Sequence, residues 1–119
     1  MKIKAFAKLA GLRERVAVYV PSTTDGATAA PEIAEEMTEK AARRLSGFFG
    51  GATISPASGA WLSDRHGLVR EAVNIVYAFC DPAALDHHAE DVIELAREIK
   101  QAMRQESVSL EINNTLYFV

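Results

Sequence analysis

Glu71 is the residue on which acid–base or ligand-binding chemistry could turn, with Asp64, Arg65, His66 and Arg70 just upstream of it and Trp61 before them. Glu71 shares parity with Val73, Ile75 and Tyr77, so its carboxylate is expected on the face those residues bury. A carboxylate so placed serves as an acid of raised pKa or a ligand anchor; the commoner use is as a structural acceptor for backbone or Arg donors. His66 beside Asp64 has the residue types of a general-base pair, but no nucleophile is fixed by the sequence. Trp61 can stack on a planar ligand such as a base, although covering one end of a sheet is the more frequent use of a lone tryptophan. Ser22, Thr23 and Thr24 add hydroxyls, and Gln105 adds an amide.

Other features carry less. Gly50–Gly51 ahead of Thr53 has neither Walker spacing nor a dinucleotide fingerprint and reads as a helix stop. His87 and His88 are neighbours on one helix and point about 100° apart, so they do not chelate a single metal. Cys80 belongs to an apolar strand and reads as inert. No catalytic residue, metal site or cofactor is assigned. The candidate ligand-binding set is Ser22, Thr23, Trp61, Arg65, His66, Arg70, Glu71 and Gln105.

The elements that must position this set follow from pattern. Leu68–Cys80 is apolar on both rows and free of Gly and Pro, which suits a strand in the middle of a sheet. Arg15–Val20 alternates Val16, Val18 and Val20 and pairs beside it. Pro21–Pro31 is a polar loop. A helix follows, with Ile33, Met37, Ala41, Leu45 and Phe48 in one stripe and glycines after it. Ala52–Ser63 contains Pro56 and Gly59, which predicts an edge strand with a bulge. Asp81–Pro82 opens a second helix to about Gln105, burying Leu85, Ala89, Val92, Ala96, Ile99 and Met103. Ser107–Ile112 and Thr115–Val119 form a hairpin about Asn113–Asn114. The order predicts an α+β fold: a ferredoxin-like βαββαβ two-layer sandwich with an extra C-terminal hairpin strand. Residues 1–119 read as one domain, 1–14 an extension of ambiguous structure and 15–119 the core.

At 119 residues, 49% hydrophobic and 24% charged, the chain can bury a core. Its net charge of −3 argues against non-specific nucleic-acid or anionic-membrane binding. One cysteine fits a reducing compartment. Neither a secretory signal nor a membrane-length apolar run is evident, so the expectation is cytoplasmic.

The pattern Phe49-Gly50-Gly51-x-Thr53, Gly59-x-Trp61, Gly67 with Glu71, and Gln105-Glu106-Ser107-Val108 resembles small bacterial, plasmid and phage proteins grouped as domains of unknown function. The resemblance spans Val16 to Val119. It implies a small α+β domain carried on mobile elements and supplies no catalytic residues.

Three function classes follow, one of them an oligomeric interaction protein with no small ligand. The first is a non-catalytic module sequestering a small anionic or nucleotide-like ligand, or a partner protein, as an accessory factor of a phage or mobile element. The alternative is a small ferredoxin-like enzyme, of isomerase or monooxygenase type, using Glu71 and His66 as acid and base. A homodimer is expected through the sheet face away from the helices, read as Ala17, Tyr19, Ala72, Asn74, Val76, Ala78 and Cys80, bordered by Ser107, Ser109 and Glu111. The rival cover for that face is the N-terminal segment with Ile3, Phe6 and Leu9.

Overall fold

The computed structural model describes residues 3–24, 27–28 and 31–119. In chain order its elements are a 3₁₀ turn (Lys4–Phe6), β1 (Glu14–Pro21), β2 (Thr23–Thr24), β3 (Ala27–Thr28), α1 (Pro31–Phe49), β4 (Thr53–Ser63), β5 (Gly67–Cys80), α2 (Pro82–Ala102), β6 (Ser109–Ile112) and β7 (Thr115–Phe118). The main sheet has the order β4-β5-β1-β6-β7 and is antiparallel throughout. Without β7 and the small β2–β3 ladder, this is the ferredoxin-like βαββαβ arrangement. The protein is α+β, and β7 is the additional hairpin strand.

Both helices cover one face of the sheet. Val16, Val18 and Val20 of β1 point there and are 0–1% exposed. The helix-side row of β5 is Val76, Ala78 and Cys80, all buried. α1 begins at Pro31, which lacks the N–H that a first turn would leave unbonded, and buries Met37, Ala41 and Leu45. Gly50 follows at φ +90°, a conformation a side chain resists, and ends it. Asp81 caps α2 by accepting from the Ala84 N–H at 2.7 Å, with Pro82 next to it. α2 buries Val92, Leu95, Ala96 and Ile99, and Met103 just beyond them. Leu85 is only half-buried and Ala89 is exposed, so the apolar row of α2 runs past the core that covers it.

Across the helix pair, Glu98 accepts from Lys40 Nζ at 2.9 Å and from Arg44 Nη1 at 3.0 Å. The bonds from Lys40 and then Arg44 hold its carboxyl below the usual Glu value. Thr38, buried at the sheet side of α1, donates to the Ala34 carbonyl and accepts from Asn74 Nδ2 at 3.1 Å. That closes the polar end of the helix–sheet interface with its hydrogen bonds made.

Three expectations require correction. The face of β5 is the reverse of the sequence reading: Val76, Ala78 and Cys80 face the helices, whereas Val69, Glu71, Val73, Ile75, Tyr77 and Phe79 lie on the uncovered face. Cross-strand partners share a face, and Val18 opposite Val76 fixes the parity. β4 is an edge strand, as expected, but has no bulge: every residue from Thr53 to Ser63 has one partner in β5. Pro56 stands where an edge strand turns one row of backbone groups outward, so a missing N–H leaves the ladder intact. The N-terminal segment does not cover the open face; Ile3, Phe6 and Leu9 are each more than half exposed.

The β4–β5 hairpin overshoots the sheet. β1 pairs with β5 only from Val73 to Cys80, and the stretch from Gly67 to Ala72 pairs with β4 alone. It forms a two-stranded arm with Trp61, Leu62 and Leu68 exposed.

Candidate functional site

Glu71 sits at the root of this arm, half-buried on the open face opposite Gly59. A Cβ added at Gly59 would meet Glu71 Cγ and carbonyl oxygen at 3.8 Å, ordinary contact distance. The absent side chain therefore leaves space beside the carboxylate without strain. The antiparallel register sets Pro21 against Val73 and Tyr19 against Ile75, which brings the end of β1 next to Glu71. The turn after α2 and the approach to β6 complete the ring. Together Tyr19, Pro21, Gly59, Glu71, Val73, Gln105 and Ser107–Ser109 line a depression of 210 Å³.

The polar groups of this depression are held from behind. Tyr19 Oη donates to Glu111 Oε1 at 2.9 Å, which fixes the ring as a wall. Burial first, and then that carboxylate, raise the Tyr19 pKa, so the phenol stays protonated and remains a donor. Gln105 donates from Nε2 to the Met103 carbonyl at 3.1 Å, which orients its amide plane. Among the described residues of the lining, Glu71 is the one that carries a charge. Further along the same face the Arg15 guanidinium lies 4.1 Å from the Tyr77 ring centroid, and Tyr77 meets Phe79 edge-on. The open face is thus an aromatic and aliphatic surface with an acidic depression at one end.

Of the candidate residues, Glu71 and Gln105 come together in this depression. Ser22 is half-buried in the bend after β1 and does not line it. Thr23 lies in β2 opposite Thr28, and its side chain is outside the described residues. Trp61 is on the arm opposite Val69, 55% exposed. Arg70 is exposed and alternates onto the other face from Glu71. Arg65 and His66 are exposed in the arm's turn, where their N–H groups donate to Ser63 Oγ at 3.2 and 3.3 Å. His66 and Glu71 are separated within one copy: Gly67, next to His66, is already about 13 Å from Glu71 at ~3.3 Å per strand residue. Tyr19, Pro21, Gly59, Val73, Ser107, Val108 and Ser109 are the members that sequence reasoning left out of the site. The parity of Tyr19 was the available signal; the register that joins it to Glu71 was not.

Among the described residues, no group of three or more His, Cys, Asp or Glu side chains converges as a metal site. No described helix is long and apolar enough to cross a membrane.

No family model matches the chain, and no curated protein does. Solved structures do. A phage SAM lyase in its apo state is similar at a TM-score of 0.68 and 19% identity, over 94% of this chain and 92% of that one. The phage SAM lyase in complex with S-methyl-5'-thioadenosine matches at 0.61 and 20% identity, over the same shares. A Bacillus cereus protein related to NIF3 matches at 0.52 and 14% identity, over 88% of this chain but only 26% of that protein. At these identities the likeness is one of fold.

Proposed function

We propose that the protein is a small-ligand-binding module that takes a nucleoside-like molecule in the Glu71 depression, as a cytoplasmic accessory factor of a phage or mobile element. The observation that carries this reading is a half-buried carboxylate in a concavity ringed by Tyr19, Gln105, Ser107 and Ser109. A carboxylate accepts from both hydroxyls of a ribose, an amide and serine hydroxyls match a purine edge, and the Tyr19 ring offers an apolar wall. Among the described residues no cation lines the depression, which favours a neutral or cationic nucleoside over the anionic ligand of the sequence reading. The likeness to a phage SAM lyase bound to S-methyl-5'-thioadenosine supports the same ligand class.

The depression holds 210 Å³, below the roughly 300 Å³ at which small-molecule pockets usually begin. In this reading a second copy packs on the open face and deepens it. Val73, Ile75, Tyr77 and Phe79 form the apolar centre of that homodimer interface, which replaces the Val76 row of the sequence reading.

Titration calorimetry with S-methyl-5'-thioadenosine tests the proposal. Binding by the unaltered protein and at least tenfold weaker binding by Glu71→Gln, with the same thermal midpoint, is the expected outcome. No heat from the unaltered protein, or equal affinity of the two, overturns it.

A second reading, an enzyme acting on a sulfonium nucleoside, is favoured by one observation. The depression presents a carboxylate and, among its described lining residues, no cation, which suits a positively charged sulfur. Formation of S-methyl-5'-thioadenosine from S-adenosylmethionine by the purified protein, lost in Glu71→Gln, would establish turnover; binding without product leaves the module reading standing.

A further inference from the structure

Away from the Glu71 depression, α2 and the β6–β7 hairpin leave a second concavity between them. It is a groove of 440 Å³ lined by apolar residues, Leu85, Ala89, Ile93 and Tyr117 among them, with Arg97 at its margin. These residues continue the apolar row of α2 beyond the part that the sheet covers. Tyr117 and Phe118 are 52% and 72% exposed, so nothing within the described fold closes the groove.

The same chain carries an apolar segment without a cover. Ile3, Phe6, Leu9 and Leu12 recur at three-residue intervals and are 55–65% exposed. Lys4, Lys8 and Arg13 intersperse them, with no acidic residue before Glu14. The flank of α2 beside the groove is mostly of opposite sign: Asp86, Glu90 and Glu94 are exposed there, with Arg97 3.6 Å from Glu94. Lengths also match. Ile3–Leu12 spans up to about 30 Å extended, and Leu85–Arg97 about 18 Å along its helix. Leu12 lies with Phe49–Thr53 and Tyr77–Phe79, on the β4–β5 side, whereas the groove is on the β6–β7 side. None of residues 3–12 lines the groove of its own copy.

We infer that the groove is the docking site for the Ile3–Leu12 segment of a second copy of this chain, with Phe6 and Leu9 seated against Ala89 and Ile93 and the lysines along the acidic flank. This contact does not depend on what occupies the Glu71 depression.

Disulfide trapping between separately made variants tests it. Phe6→Cys and Ala89→Cys are mixed under mild oxidation; both positions are exposed, and the native Cys80 is buried and stays out of the reaction. The expected result is a mixed disulfide forming at least tenfold faster than between Phe6→Cys and Asp64→Cys, whose cysteine is at the arm tip. On an Ile75→Glu background, which removes the proposed open-face contact, Ala89→Glu at an exposed position should convert dimers to monomers by light scattering while leaving the circular dichroism unchanged. A bond that forms only within one chain of a Phe6→Cys/Ala89→Cys double variant would assign the groove to the protein's own segment and overturn the inference. So would equal trapping rates at positions 89 and 64.

Discussion

At the scale of single residues, Glu71 and Gly59 make opposite contributions to one space. The carboxylate supplies the contact, and the missing side chain across the ladder leaves room for a ligand. Gly59→Val should therefore abolish nucleoside binding as thoroughly as Glu71→Gln does. A β-branched residue suits a strand and the site is not strained, so the urea midpoint should stay level or rise. Calorimetry beside a urea melt checks both parts. Glu98 gives a pH dependence of definite sign. Its folded pKa lies below its unfolded value, so it stabilises the fold above the unfolded pKa and loses that contribution as pH falls through the folded one. Acid unfolding followed by circular dichroism should begin at higher pH when Lys40 and Arg44 are both replaced by Met; an unchanged acid limb would contradict this. The charge types at the site were legible in the sequence. Their grouping was not, because Trp61, Arg65, His66 and Arg70 are near Glu71 along the chain but extend away from it along a strand, while Tyr19 and Gln105 are distant in sequence and adjacent in space.

Among the elements, α2 shows how far periodicity reaches. The stripe from Val92 to Met103 was legible and is buried, as was the Asp81 cap. Leu95 was not placed in that stripe, yet it is fully buried. Truncating Leu95 to Ala should cost about 2–5 kcal/mol, since it leaves a cavity in a packed interface. Asp81→Ala should cost about 1 kcal/mol through the lost cap bond. Leu85→Ala should cost less than Leu95→Ala, because the groove side of α2 is only partly covered. Denaturant melts rank the three, and a Leu85 effect equal to that of Leu95 would show the groove to be closed. β5 marks the limit of pattern reading. Both of its rows are apolar, so composition could not say which one the helices cover. Its partner decides: the small valines of β1 pack under α1 and α2 opposite Val76 and Ala78, and the larger Tyr77 and Phe79 are left on the open face beneath Arg15.

For the whole molecule, the order βαββαβ was legible because every element had its own punctuation: Pro21, Pro31, Gly50, Asp81–Pro82 and Asn113–Asn114. The projecting arm was not, since the excess length of β4 and β5 over β1 appears only when their pairing is known. In the proposed assembly that arm and the open face meet a second copy. Ile75→Glu puts a charge on the open face and, combined with Ala89→Glu to remove the groove contact, should give monomers with the fold retained. Val76→Glu, at a fully buried position against the helices, should prevent folding. Native mass spectrometry of the protein, unsupplemented and with added S-methyl-5'-thioadenosine, reads assembly and occupancy in one spectrum. The account predicts assemblies of two or more copies that gain one nucleoside per chain, and Ile75→Glu/Ala89→Glu monomers that gain none or far less. Monomeric unaltered protein, or Ile75→Glu/Ala89→Glu monomers that bind the nucleoside as fully as the unaltered chain, would contradict a ligand site completed by a second copy.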